Sequence, residues 1–164
     1  MKAVRVRKPE GLEGIEGLVY EDAPDPQPAI GDALVQVRAA SFTPTELTWP
    51  LRTDRAGHER ALVIPAHEGS GVVVALGYGT AGVSVGDEVY GLIDGYRDGW
   101  AAEYVIIEAR SLAPKPTTLD FIQAAEKFFA LGSHGLCLHL LFQRQQGTVP
   151  VQYARLHAPI KEGG

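Results

Sequence analysis

From the N-terminus to about residue 110, apolar and polar positions change over in short runs. Residues 3–7 (Ala3, Val4, Arg5, Val6, Arg7) alternate and stop before Pro9. Residues 17–21 come after a glycine-rich turn, and residues 33–40 contain a second alternating stretch after Gly31-Asp32. Period-two alternation of this length predicts β-strands with one face on a core. Residues 69–77 form an apolar strand entered through Gly69-Ser70-Gly71. Residues 83–92 predict a turn with flanking strands, and residues 100–107 another strand. Between these runs lie turn-forming segments, such as the proline-rich 23–28 and the polar 51–59. Regularly spaced short strands with turn chemistry between them predict a mainly β fold, a closed or partly open barrel.

Helical signals are few. Thr43, Pro44 and Glu46 read as cap, first-turn proline and first-turn acid of a short helix, which Trp49-Pro50 ends. Residues 119–129 place Leu119, Ile122, Ala125, Phe128 and Phe129 on one helical face. Beyond Leu131 the pattern degrades, and residues 143–147 and 158–164 read as loop or tail. No repeat is visible.

Composition adds limits. The 164 residues are room for one ordinary domain plus a tail. Hydrophobic residues at 45% and charged residues at 21% are ordinary for a globular protein, and 19 glycines with 11 prolines agree with many turns. A net charge of -5 without any Lys/Arg run gives no footprint for nucleic acid. The single cysteine, Cys137, excludes an internal disulfide and a cysteine-cluster zinc site. No apolar run reaches the roughly 20 residues of a membrane span, and the N-terminus has no signal-peptide core. A lone thiol and no leader place the expected location in the cytoplasm.

Four segments carry candidate chemistry. Gly77-Tyr78-Gly79-Thr80-Ala81-Gly82 satisfies G-x-G-x-x-G. A dinucleotide fingerprint must open a helix, whereas β-branched, turn-rich residues come next here, so a loop between strands is expected. His67-Glu68, entering the small-residue strand, offers an imidazole and a carboxylate to one pocket. Its structural alternative is a buried histidine paired with a neighbouring carboxylate. Ser41, Phe42, Thr43, Thr45 and Glu46, with Trp49, combine hydroxyls, aromatic walls and one acid. The alternative there is a capping box of Thr43 with Glu46. The turn at 94–100 carries Tyr96 as a candidate pocket rim, or is a plain surface turn.

Taken in order, several of these segments resemble the medium-chain dehydrogenase/reductase superfamily over roughly residues 1–125. Residues 65–73 are similar to its Gly-His-Glu-x-x-Gly-x-Val segment, with Ala66 in place of the first glycine. Gly86-Asp87-Glu88-Val89 resembles its Gly-Asp-x-Val turn. Gly99-Trp100-Ala101-Ala102-Glu103-Tyr104 resembles its G-x-x-A-E-Y strand. Residues 39–46 stand where zinc-dependent members carry a cysteine, and Thr43 replaces it. Catalytic zinc needs three protein ligands, and His67 alone is no zinc site.

The resemblance is therefore to the zinc-free, quinone-oxidoreductase-like branch. It implies a GroES-like, partly open barrel with one or two short helices, NADP(H) as cofactor and a carbonyl, quinone or enone substrate. It places Thr43 and Thr45 at the nicotinamide ribose or substrate oxygen. Phe42, Trp49, His67 and Tyr96 line the substrate cleft, with His67 and Tyr96 left as alternative proton donors.

From Glu126 onward the sequence departs from the family's continuation. The expectation is a GroES-like domain over 1–125 and an atypical irregular or helical tail over 126–164, with no dinucleotide-binding domain. NADP(H) is then not expected to be held tightly by this chain alone, and a partner chain supplying that domain is the implied partner. The rival reading is a catalytically silent orphan or truncated domain that acts as an interaction module. A metal site built from His58, His67, His134 and His139 is the least favoured alternative.

Overall fold

A computed structural model of the chain describes residues 1–6, 18–42, 46, 53–60, 63–126, 138–141 and 152–154, the last two segments by backbone alone. The elements, in order, are β1 (Lys2–Val6), β2 (Leu18–Asp22), β3 (Asp32–Phe42), β4 (Glu68–Leu76), β5 (Glu88–Leu92) and β6 (Tyr104–Glu108). A 3-10 turn (Ala109–Ser111) leads to β7 (Leu112–Pro114), α1 (Phe121–Ala125), β8 (Leu138–Leu141) and β9 (Gln152–Ala154).

β3 is the organising strand. One of its edges pairs antiparallel with β4. The other is shared: Asp32 to Gln36 pair with β6, and Ala39 to Phe42 pair with β8. Two register shifts in the β3–β4 ladder bend β3 between these partners. β5 and β7 extend the sheet beyond β4, and β9 lies beyond β8. β1 and β2 form a separate antiparallel pair. That pair is tied back by Val4 N–H to Ala101 O at 2.7 Å and Glu103 N–H to Lys2 O at 3.0 Å. The described sheets do not close, so the partly open barrel expected from the alternation is the architecture found.

The core obeys the alternation. Val35, Val73, Val89, Ile107 and Trp100 are almost wholly buried. Each fully buried aliphatic side chain of this size contributes about 1.5–3 kcal/mol. Gly69 is small for a packing reason: a Cβ there would sit 2.3 Å from the Trp100 ring. Asp32 anchors the start of β3 by accepting two hydrogen bonds from Arg97, at 2.9 and 2.8 Å.

Several boundaries differ from the sequence expectation. Residues 83–85 form part of a turn rather than a flanking strand, and residues 100–103 precede β6 in bends and bridges. The backbone of 100–103 bonds to β1 and to residues 65–66, and Glu103 O also accepts from Val37 N–H at 3.0 Å. α1 starts at a capping box that the apolar face over 119–129 does not signal. Asp120 accepts from Gln123 N–H, and the Gln123 side chain accepts from Asp120 N–H. In the tail, two described segments are strands, β8 and β9. They form because the far half of β3 presents a backbone edge that local periodicity does not reveal. Among the described residues, no helix is long and apolar enough to cross a membrane.

Candidate active site

The site grows from the bend that precedes β4. Residues 63–66 are buried, and their carbonyls accept from the 99–101 backbone: Gly99 N–H to Ile64 O at 2.7 Å, Trp100 N–H to Ala66 O at 2.6 Å, Ala101 N–H to Pro65 O at 3.0 Å. Ala66 has φ +70°, in the left-handed region that favours glycine. That bend turns His67 inward, where it is 2% exposed.

The carboxylate of Glu46, itself 1% exposed, meets the bend. Its Oε1 accepts from Ala66 N–H at 2.6 Å and lies 2.7 Å from His67 Nδ1. A carboxylate only accepts, so the Nδ1 proton sits on the imidazole and the ring is held in one orientation. Nε2 then faces the turn after β5: a Cβ placed on Gly95 would lie 3.9 Å from it. Asp94, on that turn, is held below the usual carboxylate range, first by Arg55 and then by the Tyr96 N–H that it accepts at 2.9 Å.

Glu68 opens β4, one residue after the bend that carries His67. It pairs across the ladder with Ser41 and is 2% exposed. Both of its carboxyl oxygens and the Ser41 hydroxyl are buried with no hydrogen-bond partner among the described residues. Burial, with the nearby Glu46 charge adding to it, pushes the Glu68 carboxyl up to about 7. A carboxyl of raised pKa, an oriented imidazole and an anchoring carboxylate thus lie close together at one end of β3 and β4.

Of the expected site residues, His67 lies at the centre of the cluster. Phe42 is buried at the end of β3, one step along the ladder from the Ser41–Glu68 pair. Tyr96 is 50% exposed on the turn beside Gly95 and lines a separate cavity that His67 does not reach. Thr43, Thr45 and Trp49 lie outside the described residues.

Glu46 reads from the sequence as a capping acid, and its pairing with His67 carries no sequence signal. The two are 21 residues apart and meet only in the fold. His67 does have a carboxylate partner, but it is Glu46 rather than the adjacent Glu68. Gly77-Tyr78-Gly79-Thr80-Ala81-Gly82 is a loop after β4 that opens no helix, and Thr80 Oγ donates back to Asp32 O and Gly77 O. Among the described residues, no three His, Cys, Asp or Glu side chains converge as a metal set.

Residues 29–117 match the family model of the alcohol dehydrogenase GroES-like domain. The chain belongs to that family. Across 98 residues, this GroES-like chain is 34% identical to the 2-methylene-furan-3-one reductase of Solanum lycopersicum, covering 56% of the chain and 25% of the relative. It is 33% identical to the chloroplastic NADPH-dependent alkenal/one oxidoreductase of Arabidopsis thaliana, with the same coverage. The structure of the quinone oxidoreductase from Coxiella burnetii superposes with a TM-score of 0.65 at 25% identity, over 76% of this chain and 40% of that one. The chain thus spans about a quarter of the length of these curated relatives. By name these relatives are oxidoreductases, and the superfamily is that of the medium-chain dehydrogenases/reductases.

Proposed function

We propose that the chain forms the substrate-binding half of an NADP(H)-dependent, zinc-independent oxidoreductase of carbonyl, quinone or enone substrates. The buried Glu46–His67 pair carries this reading. Reduction of such a substrate adds a hydride to carbon and leaves a proton to be delivered to oxygen or to the neighbouring carbon. His67, steadied by Glu46 at Nδ1, is suited to hand a proton from Nε2 when the ring is in its imidazolium form, which the Glu46 carboxylate stabilises. Tyr96, half exposed and lining the other cavity, is the less favourably placed donor.

Phe42 and Trp49 supply apolar walls in this reading, and Thr43 and Thr45 meet the nicotinamide ribose or the substrate oxygen. Thr43 in place of a cysteine supports the zinc-free branch. NADP(H) supplies the hydride when bound. The described residues offer its pyrophosphate no cradle, since the glycine-rich loop opens no helix. A dinucleotide-binding domain, in a longer chain or a partner chain, would provide one, with residues 1–125 as the domain that docks against it and 126–164 as a tail.

Two titrations test this. An enone such as 2-cyclohexenone is expected to shift the amide resonances of Phe42, His67 and Gly95 saturably. Shifts confined to other residues would overturn the site. Calorimetry with NADPH is expected to show no saturable binding by the 164-residue chain at about millimolar concentration. Tight binding would overturn the need for a separate nucleotide domain.

A further inference from the structure

His67 Nε2, the atom from which a proton would leave, is buried. A substrate reaches it only if a neighbouring segment moves. The turn after β5 lies against it: a Cβ placed on Gly95 would sit 3.9 Å from Nε2, an ordinary contact distance.

That turn is fastened at both ends and loosely between them. Before it, Ile93 N–H donates to His67 O at 2.7 Å. After it, Arg97 engages both carboxyl oxygens of Asp32, and Asp98 accepts from Ile64 N–H at 3.1 Å and from Arg60 at 2.5 Å. Residues 94–96 bond mainly within the turn: Asp94 accepts Tyr96 N–H, and Arg97 N–H donates to Asp94 O, both at 2.9 Å. Among the described residues, the one hydrogen bond that ties 94–96 to a distant segment runs from Arg55 to the Asp94 carboxylate. Arg55 is 65% exposed, so salt screens the pair and it holds weakly.

The turn also has room to move. Tyr96 is half exposed, and Tyr96 to Gly99 line a cavity of about 430 Å³ that His67 does not line. A segment bordered by open volume can shift without repacking a close-packed core.

We propose that residues 94–96 form a gate over His67, latched by the Arg55–Asp94 pair, which lifts to let a substrate meet Nε2. The purpose of the gate rests on the reading of His67 as proton donor. Its existence rests on the burial of Nε2 and on the latch, and is tested without substrate.

Diethyl pyrocarbonate, which acylates accessible neutral imidazole, is the probe, applied to the full chain at fixed pH and read residue by residue in a mass spectrometer. His58, whose side chain is 79% exposed, is the internal standard. In low salt, His67 is expected to react at least about tenfold more slowly than His58. Arg55→Gln should speed the reaction of His67 by about threefold or more. Salt at about 1 M should do the same for the unaltered chain and leave the variant unchanged. Asp94→Asn, which cuts the latch from the other side and keeps an acceptor for Tyr96 N–H, should match Arg55→Gln. Amide exchange at Val35 and Ile107 should stay as slow in both variants as in the unaltered chain, which marks the opening as local. His67 reacting as fast as His58 in the unaltered chain, or at an unchanged rate in Arg55→Gln, would overturn the gate. So would a gain matched by faster exchange at Val35 and Ile107, because the whole fold is then opening. An enone that fails to shift His67 while these results hold would remove the donor role and leave the gate standing.

Discussion

Glu46 Oε1 lies 2.7 Å from His67 Nδ1, and the two side chains are each 2% exposed. The same oxygen accepts the backbone N–H of Ala66. One carboxylate therefore orients the imidazole and holds the bend that presents it.

Removing that carboxylate orphans two buried donors. Glu46→Ala is expected to cost about 1–3 kcal/mol for each donor left without a partner, less whatever water recovers. Urea unfolding measures the loss. Imidazole ¹⁵N shifts should also show His67 losing its fixed Nδ1–H tautomer. A variant of unchanged stability with the tautomer intact would contradict the pairing.

Glu68 makes stability fall with rising pH. Its carboxyl titrates at about 7 in the fold, above the ordinary 4.5, so the folded state holds the proton more tightly than the unfolded chain does. The contribution is fully present below about pH 4.5 and is lost as pH rises through 7. The difference amounts to ~3 kcal/mol by pH 8. Glu68→Gln should flatten this decline and make the variant the more stable protein at about pH 8. Parallel pH–stability curves for the two proteins would count against it.

Ala66 occupies a conformation with φ +70°. An L-residue there bears a penalty of roughly 1–2 kcal/mol that glycine escapes, offset in part by glycine's greater unfolded-state entropy. Ala66→Gly is therefore expected to raise stability by ~0.5–1 kcal/mol, read as an upward shift in Tm. A lower Tm would mean that the bend holds Ala66 without strain.

Gly69 has no such freedom. Its missing Cβ leaves the space that the Trp100 ring fills, and Gly69→Ala would put a carbon 2.3 Å from that ring. A loss of about 1–3 kcal/mol is expected, with Trp100 emission moving to the red as the indole is displaced toward water. Unchanged emission and stability would show the ring to be free to move aside.

Much of this fold is legible without coordinates, because its signals are local. Alternation marks β1 and the first half of β3, and the small residues of β4 read as a place of close approach. The glycine-rich 77–82 segment stands apart from a dinucleotide fingerprint, since the β-branched, turn-rich residues after it cannot start a helix. His67 and Phe42 are visible as candidates, and the order of the family motifs points to the GroES-like fold.

What the sequence could not determine depends on which segments meet. An acid 21 residues upstream of a histidine has no periodic relation to it, so Glu46 became its partner only when the bend at Ala66 brought them together. Adjacency suggested Glu68 instead, but that side chain, opposite Ser41 on the ladder, has no hydrogen-bond partner among the described residues, and burial raises its pKa. Of the two tail strands, β8 pairs with the edge that β3 leaves beyond β6, and β9 pairs in turn with β8. Arg5 reads as a polar position of an alternating strand. Only the pairing of β1 with β2 buried it, with its guanidinium against Glu21 and the Asp22 carbonyl. Local chemistry determined where strands and turns form, while burial and pairing, which are long-range, decided which polar groups became a site.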